Sequence, residues 1–282
     1  MMHILTEKSP IRVSVIIPVF NGSGFIEAAI ESVLQQTWND FEIVVVDNAS
    51  TDDTLRRANR FHDLRLRIVP ETEFVPIYAN FNRGIRYAKG QYLKFLCADD
   101  LLSPDALRMA VDHMERFPQV GIFTADRTAI NVRGECLGRL GHEVPNGFID
   151  RHSALKLVAR HNNYIGEPSA VLLRKHQVVE FRGFNESLQQ LGDLDLWCRI
   201  LSKYDLYYYS LPLSAYRIHP GQLTRENAKH LINGFREDLR ISRILSAQGV
   251  KNYWLFRFRR WAERTKRHSK NLICRDRFFL NR

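Results

Sequence analysis

Apolar positions along the first 125 residues switch repeatedly between two periods. Residues 13–19 form a short, nearly continuous apolar run rich in β-branched side chains, followed by Asn21-Gly22. That pattern predicts a buried parallel strand that ends in a loop. From Phe25 the period lengthens, and Phe25, Ile26, Ala29, Ile30, Val33 and Leu34 recur at helical spacing. Residues 41–46 predict a second buried strand, closed by Asp47-Asn48-Ala49-Ser50. Asp52 or Thr51 is placed to cap a helix to about residue 60, and residues 67–69 predict a third strand. A helix over residues 77–88 leads to an apolar strand over 92–97. Ser103 as cap and Pro104 at the first helical position start another helix, which runs to Phe117-Pro118, and residues 120–125 give the next strand. Strands alternating with helices predict an α/β fold, a mostly parallel sheet covered on both faces. Its ligand site lies at the carboxyl ends of the strands, where Asp47 and Asp99-Asp100 fall.

Beyond this the pattern is less regular. Residues 127–150 are polar and glycine-containing and read as a hairpin or a loop. Helical spacing returns at 154–160 and an apolar strand at 170–173, followed by a helix at 193–202. Residues 204–211 and 213–218 predict two paired strands, and 225–245 a helix. The expected organisation is a catalytic domain over residues 1–222 and a C-terminal helical extension over 223–282.

Charge changes the picture at one end. The chain has 282 residues and a net charge of +10, from 41 Lys and Arg against 31 Asp and Glu. Residues 251–282 hold 11 of the basic residues and two of the acidic ones, so the rest is nearly neutral at 30 against 29. Any search for an acidic partner therefore starts in the tail. There Trp254, Phe258 and Trp261 fall at i, i+4, i+7, with Arg257, Arg260, Arg264 and Arg267 along another side. A basic amphipathic helix of this kind suits an anionic membrane surface. The alternative is that the aromatic stripe packs on the catalytic domain. No nucleic-acid motif accompanies the charge, so no nucleic-acid partner is expected. Cys97, Cys136, Cys198 and Cys274 make no CxxC pair, which argues against a zinc site or a disulfide framework. Residues 1–10 lack the apolar core of a signal peptide, and no run approaches the about 18–20 apolar residues that span a bilayer. The expectation is a cytoplasmic protein, soluble or peripheral on the cytoplasmic face of the membrane.

The candidate chemistry is carboxylate chemistry. Two acids at a strand end suit Mg²⁺ or Mn²⁺, hard cations commonly held by one or two carboxylates plus substrate phosphate oxygens. Taken alone, Asp99-Asp100 is equally a solvated loop leading into a helix, and Asp47-Asn48-Ala49-Ser50-Thr51-Asp52 is equally an Asx-type turn.

Five ordered motifs go further: residues 15–21 (Val-Ile-Ile-Pro-Val-Phe-Asn), 32–37 (Ser-Val-Leu-Gln-Gln-Thr), 41–52, Asn82-Arg83-Gly84-Ile85 and Lys89-Gly90-Gln91-Tyr92. In this order they resemble glycosyltransferase family 2, over about residues 12–220. The resemblance implies a GT-A (Rossmann-like) fold and an inverting transferase that uses a nucleotide-diphosphate sugar, a divalent metal, and a glycan or lipid-linked saccharide acceptor. Carried onto this sequence, it implies that Pro18, Val19 and Asn21 line the nucleotide pocket and that Asp47 contacts the base. The family often has a further acid where this chain has Cys97, so the metal falls to Asp100, with Asp99 in the metal shell or on the ribose. Asp193, in Gly192-Asp193-Leu194-Asp195-Leu196, matches the catalytic base, with Gly192 in place of the usual acid. Asp193 is also placed to cap a helix, and Asp195 reads as structural. His219, in Tyr216-Arg217-Ile218-His219-Pro220, is implied to ligate the metal or touch the pyrophosphate, and Glu167-Pro168-Ser169 to line the acceptor side.

Two competing functions remain from sequence. A sugar-nucleotide nucleotidylyltransferase would need a basic glycine-rich loop, and Asn21-Gly22-Ser23-Gly24 lacks the Lys or Arg. A non-catalytic glycan- or membrane-binding protein could retain the fold.

Overall fold

The computed structural model describes residues 11–161, 163–222, 231–251, 253, 254 and 257. In chain order the first half runs β1 (Val13–Val19), α1 (Ile26–Leu34), β2 (Phe41–Asp47), α2 (Thr54–Ala58), β3 (Leu66–Pro70), α3 (Ile77–Tyr87), β4 (Tyr92–Phe95), β5 (Leu101–Leu102) and α4 (Ala106–Arg116). The second half runs β6 (Val120–Ile130), β7 (Cys136–Leu140), β8 (Gly147–Ile149), α5 (Arg151–His161), β9 (Val171–Arg174), α6 (Lys175–Glu180), α7 (Gly192–Leu201), β10 (Asp205–Arg217) and α8 (Leu231–Ala247).

One sheet carries the order β3-β2-β1-β4-β9-β6-β10-β5. The first four strands are parallel, β9 is antiparallel to β4 and β6, and β10 again runs parallel to β6. Because both faces are covered, the strands read as continuous apolar runs rather than alternating ones. Alternate residues still divide between two cores. Ile16, Val44, Val46, Leu93 and Phe95 pack with α3, α5, α7 and α8, while Val13, Val15, Ile17, Ile43 and Val45 pack with α1 and α4. The register pairs Val19 with Asp47, so the ends of β1 and β2 open at the same level.

Three details differ from the expectation. Residues 205–217 form the single strand β10, whose register along β6 shifts on either side of Pro212. Proline offers no N–H to the ladder, and the irregularity there lets the strand bend and continue where the sequence suggested a turn. Ser103 caps nothing through its side chain: its carbonyl accepts the Ala106 N–H at 3.0 Å, and α4 starts at Ala106. The ambiguous stretch 127–150 holds the end of β6, a hairpin turn in which Asn131 Oδ1 accepts the N–H groups of Arg133 and Glu135, and the strands β7 and β8.

The C-terminal helix is integral to the first of these cores. Ile241 and Leu245 of α8 are fully buried, and Glu237 accepts the N–H groups of Gln189, Gln190 and Leu191 at 2.7, 2.9 and 2.7 Å. Tyr253 donates its hydroxyl to Asp238 at 2.7 Å, Arg257 pairs with the same carboxylate, and the Trp254 ring lies 5.4 Å from that of Phe235. The aromatic stripe thus begins by packing on the fold at Trp254. Phe258 and Trp261 lie outside the described residues. Among the described residues, no helix is long and apolar enough to cross a membrane.

Candidate active site

Three groups of side chains gather at the carboxyl edge of the sheet. The first is built where β1 and β2 end. Asn21 takes a left-handed backbone (φ 50°), which asparagine tolerates better than most residues, and its Oδ1 accepts the Thr51 N–H at 2.8 Å. Ser50 Oγ in turn accepts the Asn21 N–H at 2.9 Å, so the two loops are tied in both directions. Ala49 also sits at positive φ (59°), a strained conformation for a residue with a Cβ, of the kind found at ligand clamps. Asp47 is fully buried. Its Oδ2 accepts the Ser50 N–H at 3.0 Å, while Oδ1 has no hydrogen-bond partner. A buried acceptor left unsatisfied costs about 1–3 kcal/mol, which a donor on a ligand would offset. Pro18 and Val19 are buried beside it in β1, with the Val19 carbonyl accepting the Asn48 N–H at 2.8 Å. At the mouth the rings of Phe20 and Phe74, 46% and 57% exposed, pack at a tilt of 59° with centroids 4.7 Å apart.

The second group surrounds Asp99 and Asp100. Asp100 is 1% exposed, accepting the Ser169 hydroxyl at 2.6 Å on Oδ2 and the Arg217 N–H at 3.0 Å on Oδ1. Burial, then the neighbouring charges of Asp99 and Glu167, push its carboxyl well above the usual range. Asp99 Oδ2 lies 3.0 Å from His219 Nε2, and the Arg217 guanidinium donates to the Asp99 carbonyl at 2.8 Å. Phe25, just before α1, holds both partners: its ring is 4.9 Å from His219 and 5.0 Å from the Arg217 guanidinium. Ligand atoms of Cys97, Asp99 and Asp100 all lie within 4.8 Å of one another. Two crowded carboxylates, one of them buried, whose oxygens each retain a lone pair, are a donor set that fits a hard divalent cation.

The third group is centred on Asp193, in the first turn of α7. Its Oδ1 accepts the Leu194 N–H at 2.7 Å and its Oδ2 the Asn163 side-chain N–H at 2.9 Å. Burial pushes its carboxyl up to about 7, with the charge of Glu167 adding to the rise. Asp193 is not the helix cap, since α7 already begins at Gly192 after Leu191; it sits inside the first turn, and its two bonds leave lone pairs on both oxygens to accept a proton. Gly192 has a local cause: a Cβ there would lie 2.4 Å from the Tyr78 ring, whose hydroxyl sits against the backbone N–H groups of Gly192 and Asp193. Asp195 is fully buried and paired with Arg199 at 2.8 Å and Arg240 at 2.5 Å, a structural role as expected.

The structure thus brings Asp99, Asp100 and His219 together, gathers Pro18, Val19, Asn21 and Asp47 beside them, and sets Asp193 in a separate cluster. Sequence reasoning missed Lys94, Asn163 and the bonding role of Ser169. Lys94 Nζ donates to the Ser169 carbonyl at 2.7 Å, and burial pulls its ammonium down to about 7 against the charges of Glu167 and Asp100. A lone lysine inside an apolar strand was the signal available. Asn163 and Ser169 act through distant partners and left none.

Known proteins of one family match this chain in sequence and in fold. The family model described as Glycosyl transferase family 2 matches residues 14–174. An uncharacterized protein of Mycobacterium tuberculosis is 30% identical over 213 residues, covering 73% of this chain and 66% of that protein. The chondroitin synthase of Escherichia coli is 28% identical over 198 residues, 67% of this chain and 26% of the synthase, so the chain spans about a quarter of that relative's length. Among solved structures, the mannosyltransferase PcManGT from Pyrobaculum calidifontis, in complex with GDP-Man and Mn²⁺, superimposes with a TM-score of 0.60 at 22% identity, covering 89% of this chain and 73% of that one. The S. aureus TarS 1–349 complex with UDP gives 0.61 at 16% identity, covering 85% and 66%. These neighbours share the GT-A fold. With more than half of its length inside the family match, this chain belongs to glycosyl transferase family 2.

Proposed function

We propose that the protein is an inverting, metal-dependent hexosyltransferase of cell-surface polysaccharide synthesis. It moves a hexose from a nucleotide-diphosphate sugar, most simply a UDP-sugar, to a hydroxyl of a glycan or lipid-linked saccharide. The observation that carries this reading is the division of carboxylates at the sheet edge: an Asp99-Asp100 pair, its second member buried, suited to a cation, and a separate Asp193 held by Asn163 with its carboxyl pushed up to about 7. Structural neighbours bound to UDP and to GDP-Man with Mn²⁺ support a nucleotide-sugar donor and a divalent metal.

In this reading Asp47 Oδ1 accepts an N–H of the base, while Pro18, Val19 and Asn21 wall the nucleoside. Asp100, Asp99 and His219 hold Mg²⁺ or Mn²⁺, with Asp99 free to serve the ribose instead. The bound cation supplies charge neutralisation to the departing diphosphate. Asp193, deprotonated, takes the acceptor hydroxyl's proton as that oxygen attacks the anomeric carbon, a contribution typically about 10²–10⁴-fold in rate. A single displacement with one base and no protein nucleophile inverts the anomeric centre. A screen of nucleotide sugars, scoring nucleotide release with and without Mn²⁺ and then with saccharide acceptors, tests the reading. Absence of release from every donor under all conditions would contradict it.

The basic composition of residues 251–282 supports a second element of the proposal, attachment to an anionic membrane on its cytoplasmic face. Each Lys or Arg near such a surface contributes about 1 kcal/mol. A chain ending at Arg257, which keeps the packed Tyr253, Trp254 and Arg257, should stop sedimenting with phosphatidylserine vesicles yet keep its donor hydrolysis. Equal sedimentation of both chains would rule the tail out as the anchor.

A further inference from the structure

Glu167 takes no part in the mechanism above, yet it stands between its two halves. Residues 163–169 run from one acid cluster to the other: Asn163 bonds Asp193 at one end and Ser169 bonds Asp100 at the other. The segment is held firmly along its length. Gly166 N–H donates to Asn163 Oδ1 at 3.1 Å, the Trp197 indole donates to the Gly166 carbonyl at 3.1 Å, and the Thr124 hydroxyl donates to the Ile165 carbonyl at 2.6 Å. Gly166 adopts φ 100°, and a Cβ there would lie 3.1 Å from the Arg127 guanidinium, so glycine lets the arginine lie against the backbone.

Arg127 pairs with the carboxylate by charge, without an aligned hydrogen bond. Its Nε lies 3.0 Å from Glu167 Oε1, and its side chain keeps only 9% of its surface exposed. Oε1 is buried, whereas the Glu167 side chain as a whole keeps 21%. The negative charge of Glu167 acts on Asp100, Asp193 and Lys94 alike, in keeping with its place on the segment that joins the two clusters. Without a ligand, a third acid beside two others is repulsive. A carboxylate paired with an arginine accepts hydrogen bonds and does not donate them. The complementary group is therefore a neutral donor lying between a diphosphate site and an acceptor site, and in a nucleotide sugar that is a hydroxyl of the sugar itself.

We propose that Glu167, paired with Arg127, accepts a hydrogen bond from a hydroxyl of the transferred sugar and so helps set which sugar is moved. The family resemblance implied the acceptor side for this residue. The proposal rests on the glycosyltransferase reading. A site built to bond a hydroxyl discriminates strongly against analogues that lack it or turn it away, because the buried acceptor is then left unpaired.

The test is calorimetric titration, in Mn²⁺, of UDP, UDP-glucose, UDP-N-acetylglucosamine, GDP and GDP-mannose into the wild-type protein, Glu167→Gln and Glu167→Ala. Near-UV circular dichroism checks that each variant is folded. The proposal expects the free diphosphates to bind all three proteins within about twofold, while the preferred sugar nucleotide loses about tenfold or more in Glu167→Ala, with a smaller loss in Glu167→Gln. Unchanged sugar-nucleotide affinity in Glu167→Ala would overturn it, as would an equal loss for the free diphosphate, which would mark Glu167 as part of the metal or folding machinery. Failure of the wild-type protein to bind any nucleotide would instead sink the underlying reading.

Discussion

The two ends of the site are built by different means. The end proposed for the nucleotide consists of backbone turns at the tips of neighbouring parallel strands, with Asn21, Ser50 and Thr51 bonding one another across about 30 residues of chain. The Asp193 end is an irregular segment fixed by side chains from afar: Asn163 on the carboxylate, Trp197 and Thr124 on the segment's carbonyls, and Glu237 of α8 on three N–H groups just before α7. A strand-end site inherits its geometry from the sheet register. The other end depends on individual buried bonds, so single changes there should disturb chemistry more than binding.

Asp193→Asn should break the comparison most sharply. Turnover should fall by about 10²-fold or more with donor affinity nearly kept. The pH profile sharpens the assignment. Because the carboxyl sits near 7 and the base must be deprotonated, kcat should fall as pH drops through about 7, approaching tenfold per unit below it. That limb should vanish in the residual rate of the variant. Near-normal turnover, or an unchanged acid limb, would remove Asp193 from the proton transfer.

Asp100→Asn addresses the opposite end. It keeps the side chain's shape and its ability to accept from Ser169, but removes one charge from the cation site. Mn²⁺-dependent nucleotide affinity should drop by about 10–100-fold, read by calorimetry, while thermal unfolding shows the fold intact.

Glu237→Ala should have a smaller and different effect. Three N–H groups lose a charged acceptor, costing about 2 kcal/mol of stability by urea unfolding and loosening the approach to α7. Turnover should fall by about tenfold with nucleotide affinity unchanged. Equal damage to both would mean that the two ends are not mechanically separate.

How much of this was legible follows from the same contrast. The strand ends at Asp47 and at Asp99-Asp100 are marked locally, as the edge of a parallel sheet where ligands bind, while the nucleotide roles expected of Pro18, Val19 and Asn21 came only with the family resemblance. The family resemblance added Asp193 and His219. It did not reveal that His219 lies beside Asp99, that Lys94 supports the Ser169 carbonyl, or that Tyr78 fills the space a side chain at residue 192 would need. Those contacts join residues 75 to 120 positions apart, and no periodicity encodes them. Pro212 misled for a related reason: as punctuation it reads as a turn, whereas in the sheet a register shift absorbs it.

The central claim is that Asp100 belongs to donor and metal binding and Asp193 to the proton transfer. The most direct test is to titrate UDP and GDP, with and without Mn²⁺, into the wild-type protein, Asp100→Asn and Asp193→Asn in parallel, and to measure turnover of the preferred sugar nucleotide on the same samples. The account predicts metal-dependent binding that Asp193→Asn retains and Asp100→Asn loses, with turnover suppressed in both. Retained binding in Asp100→Asn, or binding lost equally in both variants, would contradict it.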